Sequence, residues 1–422
     1  MRNEAGPVCV VGGLSGIPAD VRLDVEAAVR AEPLLGEIHE CPAADRSESV
    51  RRALAKLHAR HRFAAIHLPL RGGLAFRTLQ ARAAGLAFVD VKIIVHDDGT
   101  SRAAREARQA WPAGPDDLIL DFMESECLRL APLGGHRVAT RQPLVTAGIA
   151  HYNLGEFLPA ALASLAAQTY PHLEVLVLDD GSTQPESLTA LERLEREFPH
   201  IRFIRQANGG IGAARNRLLA EARGEYFLPM DADNLARPNM VESFVRGMER
   251  NPDLAAMTCW FRAFTEKPDT PIYAYRPIGG PHALTCIRNV YGDANGIFRT
   301  ADFRAAGGYE TDRGTSCEDW EAYVKLVHAG KRIGVVPEYL FDYRHREAGF
   351  SRATNWFANH QRVLRQFEGV EWSALLGFQQ ENLRLREKLR SPQYRIADAM
   401  IAPMRWLKRR FGTGRALPSG SP

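Results

Sequence analysis

Two carboxylates one residue apart, at the end of the apolar run Gly224-Glu225-Tyr226-Phe227-Leu228-Pro229-Met230-Asp231-Ala232-Asp233-Asn234, offer the clearest chemistry in the chain. Positions i and i+2 of an extended segment project to one face, so Asp231 and Asp233 stand side by side where the strand leaves its sheet. Hard divalent cations such as Mg²⁺ or Mn²⁺ favour oxygen ligands and share them with phosphates. The spacing suggests a metal held between the protein and a nucleoside diphosphate. Asp-x-Asp also describes a solvated turn, so its weight comes from the segments around it.

Three such segments stand out. Leu173-Glu174-Val175-Leu176-Val177-Leu178-Asp179-Asp180-Gly181-Ser182 is a second strand ending in a pair of carboxylates. They can accept hydrogen bonds from a nucleobase N–H or ribose hydroxyls, or cap the turn before Gly181. Ligands of open α/β sheets bind outside the carboxyl ends of strands, so Asp179 and Asp180 share an edge with Asp231 and Asp233. Between the pairs, Asn208-Gly209-Gly210-Ile211-Gly212-Ala213-Ala214-Arg215-Asn216 reads as a glycine-rich loop opening a helix. The amides of that helix start, with Arg215, suit an anion. Downstream, Cys317-Glu318-Asp319-Trp320-Glu321 begins a helical pattern that reaches about Ala329. Acids in a first helical turn complement the helix dipole or supply a base.

The elements that must position these groups alternate strand and helix. In the first 131 residues the strands are Val8–Val11, Ala64–Leu68 and Val91–Val95, and helical patterns run over about 19–35, 48–61, 74–84 and on to Ala131. The βαβα order predicts a doubly wound parallel sheet. Gly12-Gly13-Leu14-Ser15-Gly16 follows the first strand but misses the G-x-G-x-x-G spacing, so it reads as a tight turn. His67, His96, Asp97 and Asp98 fall at strand ends and read as scaffold loops or as the lining of a cleft. A linker from Pro132 to about Pro143 precedes a second α/β unit with a strand at 144–150 and a helix at about 156–168. The expected fold class is α/β: two doubly wound domains, 1–131 and 144–370, followed by a helical basic tail, 371–422.

At 422 residues the chain suggests two or three domains. No run approaches the length of a transmembrane helix, and the N-terminus lacks the apolar core of a signal peptide. The six cysteines are scattered with no Cys-x-x-Cys pair, which argues against a zinc site or disulfide framework and fits a reducing cytoplasm. Net charge is +4, yet the last 42 residues carry ten Lys and Arg against three Asp and Glu. The rest of the chain is therefore slightly acidic, and nucleic acid is not an expected partner. In the tail, Tyr394, Ala397, Ile401, Met404 and Phe411 form an apolar stripe beside Arg395, Arg405, Lys408, Arg409 and Arg410. That pattern suits peripheral contact with an anionic membrane at its inner face, or docking on the protein itself.

The ordered motifs VTAGIAHYN, LEVLVLDDGS, NGGIGAARN, GEYFLPMDADN, NGIFR…GGYE, CEDWEAYVKLVHAG and YRHREAGFSR, from Leu144 to Arg352, resemble family-2 glycosyltransferases of the GT-A fold. The resemblance implies an inverting transfer of sugar from a nucleotide-diphosphate sugar to a hydroxyl of a glycan or lipid-linked acceptor. It assigns Asp179, Asp180, Asn208, Gly209, Arg215 and Asp231 to the nucleotide-sugar. It assigns Asp231 and Asp233 to a divalent metal, Mn²⁺ or Mg²⁺, with His345 of Tyr343-Arg344-His345-Arg346 as a third ligand. Arg344 is the alternative there, reaching a phosphate. Asp319 is implied as the base, with Glu318 and Glu321 as competitors. Glu318 and Trp320 are assigned to the acceptor, although Trp320 equally suits core packing. No Gln-x-x-Arg-Trp motif follows Asp319, which implies a non-processive enzyme, here expected in surface polysaccharide assembly. Separately, Ala64 to Ala131 resembles the N-terminal Rossmann-like half of GT-B glycosyltransferases of the glycogen-synthase type, implying an accessory domain. The rival readings are a sugar-phosphate nucleotidyltransferase, disfavoured by the loop Ala147–Asn153, and a catalytically silent nucleotide-sugar-binding scaffold.

Overall fold

The computed structural model describes residues 6–31, 42–110, 112–132, 141–346, 349 and 354–367. The tail and most of the linker, 133–140, lie outside the described residues. The chain up to Gln366 is one compact unit holding two sheets.

The first sheet has four parallel strands in the order β2-β1-β3-β4, formed by β1 (Val8–Val11), β2 (Val21–Leu23), β3 (Ala65–Pro69) and β4 (Lys92–His96). Ile66 and Leu68 alternate into the core, as a period of two requires. Val21–Leu23 corrects the helix expected over 19–35. The strand opens on the β-branched Val21 and pairs parallel with Cys9–Val11 of β1, and the helix occupies only Val25–Ala31 of the described residues.

The second sheet runs β7-β6-β5-β8-β12-β10-β13-β9, with β11 paired to β10. Its strands are β5 (Val145–His151), β6 (Leu173–Asp179), β7 (Arg202–Arg205), β8 (Tyr226–Asp231), β9 (Leu235–Ala236), β10 (Leu254–Phe264), β11 (Tyr273–Tyr275), β12 (Ile297–Arg299) and β13 (Arg332–Arg344). Strands β5 to β8 are parallel, whereas β12 pairs antiparallel with both β8 and β10. The sheet is therefore mixed, a parallel half extended by antiparallel pairings that the expectation of a doubly wound domain did not include. The added half rests on the long parallel pair β10–β13, whose bulges let buried aromatics fill the core.

The two sheets are joined by polar groups that the core has swallowed. Arg77 on the helix Phe76–Ala83 is 2% exposed and lies 5.0 Å from the Trp260 ring. Its guanidinium donates to the carbonyls of Pro277 and Arg276, and Gln80 donates to that of Ile278. Asn251 returns a bond of 3.0 Å to the carbonyl of Ala83. Buried donors left without partners are costly, so these bonds fix how the first layer meets the second.

Candidate active site

Parallel strands β5, β6 and β8 end in register: His151 pairs with Asp179, and Ala150 with Asp231. This edge opens into a cleft of about 740 Å³, whose lining includes His151, Asp180, Asn208, Arg215, Asp231, Asp233, Asp293, Glu318, Asp319, Trp320, His345 and Arg346. Most of the residues singled out in the sequence thus converge on one cleft.

Asp179 is an exception. It is buried, faces His151 Nδ1 at 3.2 Å, and accepts from the Ser182 amide. Its carboxylate is turned toward His151 and Ser182, outside the lining of the cleft. Asp180 lines the cleft, yet both its oxygens are used by the glycine-rich loop. They accept from the amides of Gly209 and Gly210 at 2.8 Å and from Gln206 Nε2 at 2.7 Å. Gly210 sits at φ 89°, a left-handed conformation that favours glycine. A Cβ on Gly212 would collide with the carbonyl of Glu310. The loop is therefore shaped by Gly210 and one carboxylate before the helix Ile211–Glu221 begins, and Gly212 in the first turn lets that helix pack on the Glu310 backbone.

Arg215, one turn into that helix, ties two strand-end and helix-start acids together. Its guanidinium lies 2.6 Å from Asp231 and 2.5 Å from Glu318. Burial pulls its pKa down, but the two carboxylates outweigh burial and hold it well above the ordinary value. Asp231 also accepts from Asn234 Nδ2 at 3.2 Å. Asp233 is paired with Arg346 at 2.6 Å. Burial raises the Asp233 pKa, the Asp231 charge adds to this, and Arg346 opposes it.

Asp231 and Asp233 fit a hard divalent ion in the chemistry of their oxygens. Among the described residues no three His, Cys, Asp or Glu side chains cluster to hold an ion. His345 lines the same cleft, and its ring packs edge-on to Tyr273. An ion here would draw its remaining ligands from a diphosphate and would take Asp233 from Arg346. Arg344 donates to the Asp233 carbonyl at 3.1 Å and lies over the Phe157 and Phe264 rings.

The helix Glu318–His328 supplies the acids at the other end of the cleft. Cys317, which precedes it, has φ 71°, an uncommon conformation for a non-glycine residue and a frequent mark of a functional turn. Burial pushes the Asp319 carboxyl up to about 7, with the Glu318 charge adding and Arg215 opposing. A base with a pKa near the working pH combines the needed protonation state with driving force. Glu321 is fully buried and ion-paired with Arg362, and Gln366 donates to it at 2.9 Å. Trp320 is buried edge-on to His360 and also lines the cleft.

Asp293 and Arg313 escaped the sequence reading, while Asn295, His151 and Arg346 fell inside its motifs without an assigned role. Asp293 lies in the loop before β12, and burial together with the charges of Asp231 and Asp319 raises its pKa well above the usual carboxylate range. Its sequence signal is a single acid beside a quoted motif, with no periodicity to mark it. Arg313 reaches across to Asn208 Oδ1 of the glycine-rich loop at 2.5 Å.

Carboxylates at two parallel strand ends, a glycine-shaped helix start and a raised acid on a second helix start line one cleft. Residues 146–301 match the model of glycosyl transferase family 2. An uncharacterised glycosyltransferase of Haemophilus influenzae is 33% identical over 126 residues, 30% of this chain and 39% of that protein. The chondroitin synthase of Escherichia coli is 35% identical over 117 residues, 28% of this chain and 17% of that protein. The chain thus spans well under half the length of these relatives. The 1–349 fragment of Staphylococcus aureus TarS, crystallised with UDP-GlcNAc, is 18% identical with a TM-score of 0.44, covering 55% of this chain and 69% of that one. The family-2 segment and its named relatives support a glycosyltransferase enzyme. The segment carries the strand-end acids and the glycine-rich loop, while Asp319 lies beyond it.

Proposed function

We propose that the protein is an inverting, non-processive glycosyltransferase that moves a sugar from a nucleotide-diphosphate sugar to a hydroxyl of a glycan or lipid-linked acceptor in surface polysaccharide assembly. The observation that carries this reading is one cleft with Asp231 and Asp233 at the strand ends and the raised acid Asp319 on the helix start.

The diphosphate lies along the strand ends and the start of the helix Ile211–Glu221, whose amides favour an anion. Arg215, held by Asp231 and Glu318, keeps the two ends of the cleft in fixed relation. Asp319 takes the proton of the acceptor hydroxyl as that oxygen attacks the anomeric carbon from the face opposite the leaving diphosphate. The C–O bond to the diphosphate breaks as the new glycosidic bond forms. Asp231 and Asp233 would hold a divalent cation, which would offset charge on the departing nucleoside diphosphate. Trp320, beside Asp319, is assigned to the acceptor.

Residues 1–131 belong to this reading as an accessory layer related to a GT-B half, and 144–370 as the GT-A catalytic domain. The basic tail is assigned to an anionic membrane surface at the cytoplasmic face. Among the described residues no helix is long and apolar enough to cross a membrane. A thermal-shift screen of nucleotide-sugars with Mn²⁺, followed by mass spectrometry of transfer products, tests the reading. Failure of every nucleotide-sugar to raise the unfolding midpoint would overturn it.

A further inference from the structure

We propose that Asp293 reads the hydroxyls of the transferred sugar and so sets which donor sugar the cleft accepts. This rests on the transferase reading above. In an inverting displacement the sugar ring lies between the leaving diphosphate and the attacking hydroxyl. In this cleft those ends are the Asp231–Asp233 edge and Asp319. Asp293 lines the same cleft with Asn289 and Ala294, and its charged neighbours are Asp231 and Asp319.

The carboxyl is held like a built site. Asn295 donates to Asp293 Oδ1 through its side chain at 2.6 Å and its amide at 3.1 Å. The same Asn295 takes the Asp231 amide at 2.9 Å, which links the sugar-reading residue to the strand end. Tyr323 donates to the Asp293 carbonyl at 2.8 Å. Gly292, at φ 144°, packs so close to Thr258 that a Cβ would sit 2.7 Å from it. Both contacts fix the loop on either side of the acid. Among the described residues Asp293 makes no ion pair, and its Oδ2 makes no hydrogen bond. The guanidinium of Arg215 is already committed to Asp231 and Glu318. A part-buried acid with no ion pair, beside two other acids, works against stability, and such residues persist where function needs them. With Oδ1 pinned, Oδ2 is the atom left to bond a sugar hydroxyl. A site that hydrogen-bonds a substrate hydroxyl rejects the analogue lacking it far more strongly than an apolar pocket does.

The test measures binding by calorimetry for the full chain and for Asp293→Asn and Asp293→Ala, each checked by its unfolding midpoint. The probes are UDP, GDP and the epimer pairs UDP-glucose/UDP-galactose and GDP-mannose/GDP-glucose. The wild type should prefer one member of a pair, and both variants should shrink that preference by about tenfold or more. Affinity for the bare nucleoside diphosphate should stay nearly unchanged. Asp293→Asn, near-isosteric and uncharged, should keep an unfolding midpoint no lower than wild type. An unchanged preference in both variants, a wild type indifferent to the epimers, or equal weakening of bare and sugar-bearing nucleotides would overturn the inference alone. A wild type that binds no nucleotide would overturn the transferase reading with it.

Discussion

Asp319 and Glu321 begin the same helix and do different work. Asp319 lines the cleft, with its carboxyl pushed up to about 7. Replacing it with Asn keeps its shape but removes the proton acceptor, so donor binding should survive while transfer falls by roughly 10²–10⁴. Only ionised Asp319 can act, so the transfer rate should rise with pH through an apparent pKa of about 7 and flatten above it. Its raised pKa also means that the folded state binds more protons than the unfolded state between the ordinary carboxylate value and about 7. Stability from this group therefore falls as pH rises through that window, and Asp319→Asn should flatten the dependence of the unfolding midpoint there. Glu321, two residues on, is fully buried against Arg362. Removing one partner of a buried ion pair strands the other, so Glu321→Ala should cost about 3–5 kcal/mol in a denaturant titration. Turnover per folded molecule should stay close to normal.

The helix Phe76–Ala83 shows what the first layer does. Its Arg77 and Gln80 bond the backbone at Arg276, Pro277 and Ile278. That stretch leads through Gly279, whose amide bonds the Val290 carbonyl, toward the loop carrying Asn289, Asp293 and Ala294 into the cleft. A chain beginning at Leu144 would expose the Trp260 surface and leave those carbonyls without donors. It should unfold at a markedly lower temperature than the full chain, as differential scanning calorimetry would show. An equal midpoint would mean that the first layer contributes nothing to the second. At the glycine-rich loop, Gly212→Ala should push the loop from Glu310 and weaken nucleoside-diphosphate binding in a calorimetric titration, because a Cβ there meets the Glu310 backbone.

Across the molecule, the two strand-end acids Asp231 and Asp233 are paired with arginines before any ligand arrives. Asp231 is held by Arg215 and Asp233 by Arg346. A divalent ion must therefore compete with Arg346, and a diphosphate offers that arginine another partner. Mn²⁺ should bind weakly alone and more tightly with nucleoside diphosphate, while EDTA should lower nucleotide affinity. Arg346→Gln should tighten binding of Mn²⁺ alone, followed by its electron paramagnetic resonance signal. Equal nucleotide affinity with and without the metal would remove the cation from the mechanism.

The sequence by itself determined the strand ends and what they carry. Short continuous apolar runs fix β5, β6 and β8, as central parallel strands require, and β6 and β8 present their last acids where they stop at the sheet edge. The glycine-rich loop was legible for the same local reason, since its conformation is written in glycines at 210 and 212. Tertiary structure decided which acids share a partner. Arg215 meets Glu318 from 103 residues away, and Asp293 reaches the cleft because a distant loop is pinned by Tyr323 and Asn295. It also turned Asp179 behind the cleft, committed Asp180 to the loop, set His345 against Tyr273 and paired Asp233 with Arg346. Local patterning places a side chain on a face of its own element. Ion pairing, burial and pKa depend on what the folded chain brings opposite that face, which no local pattern encodes.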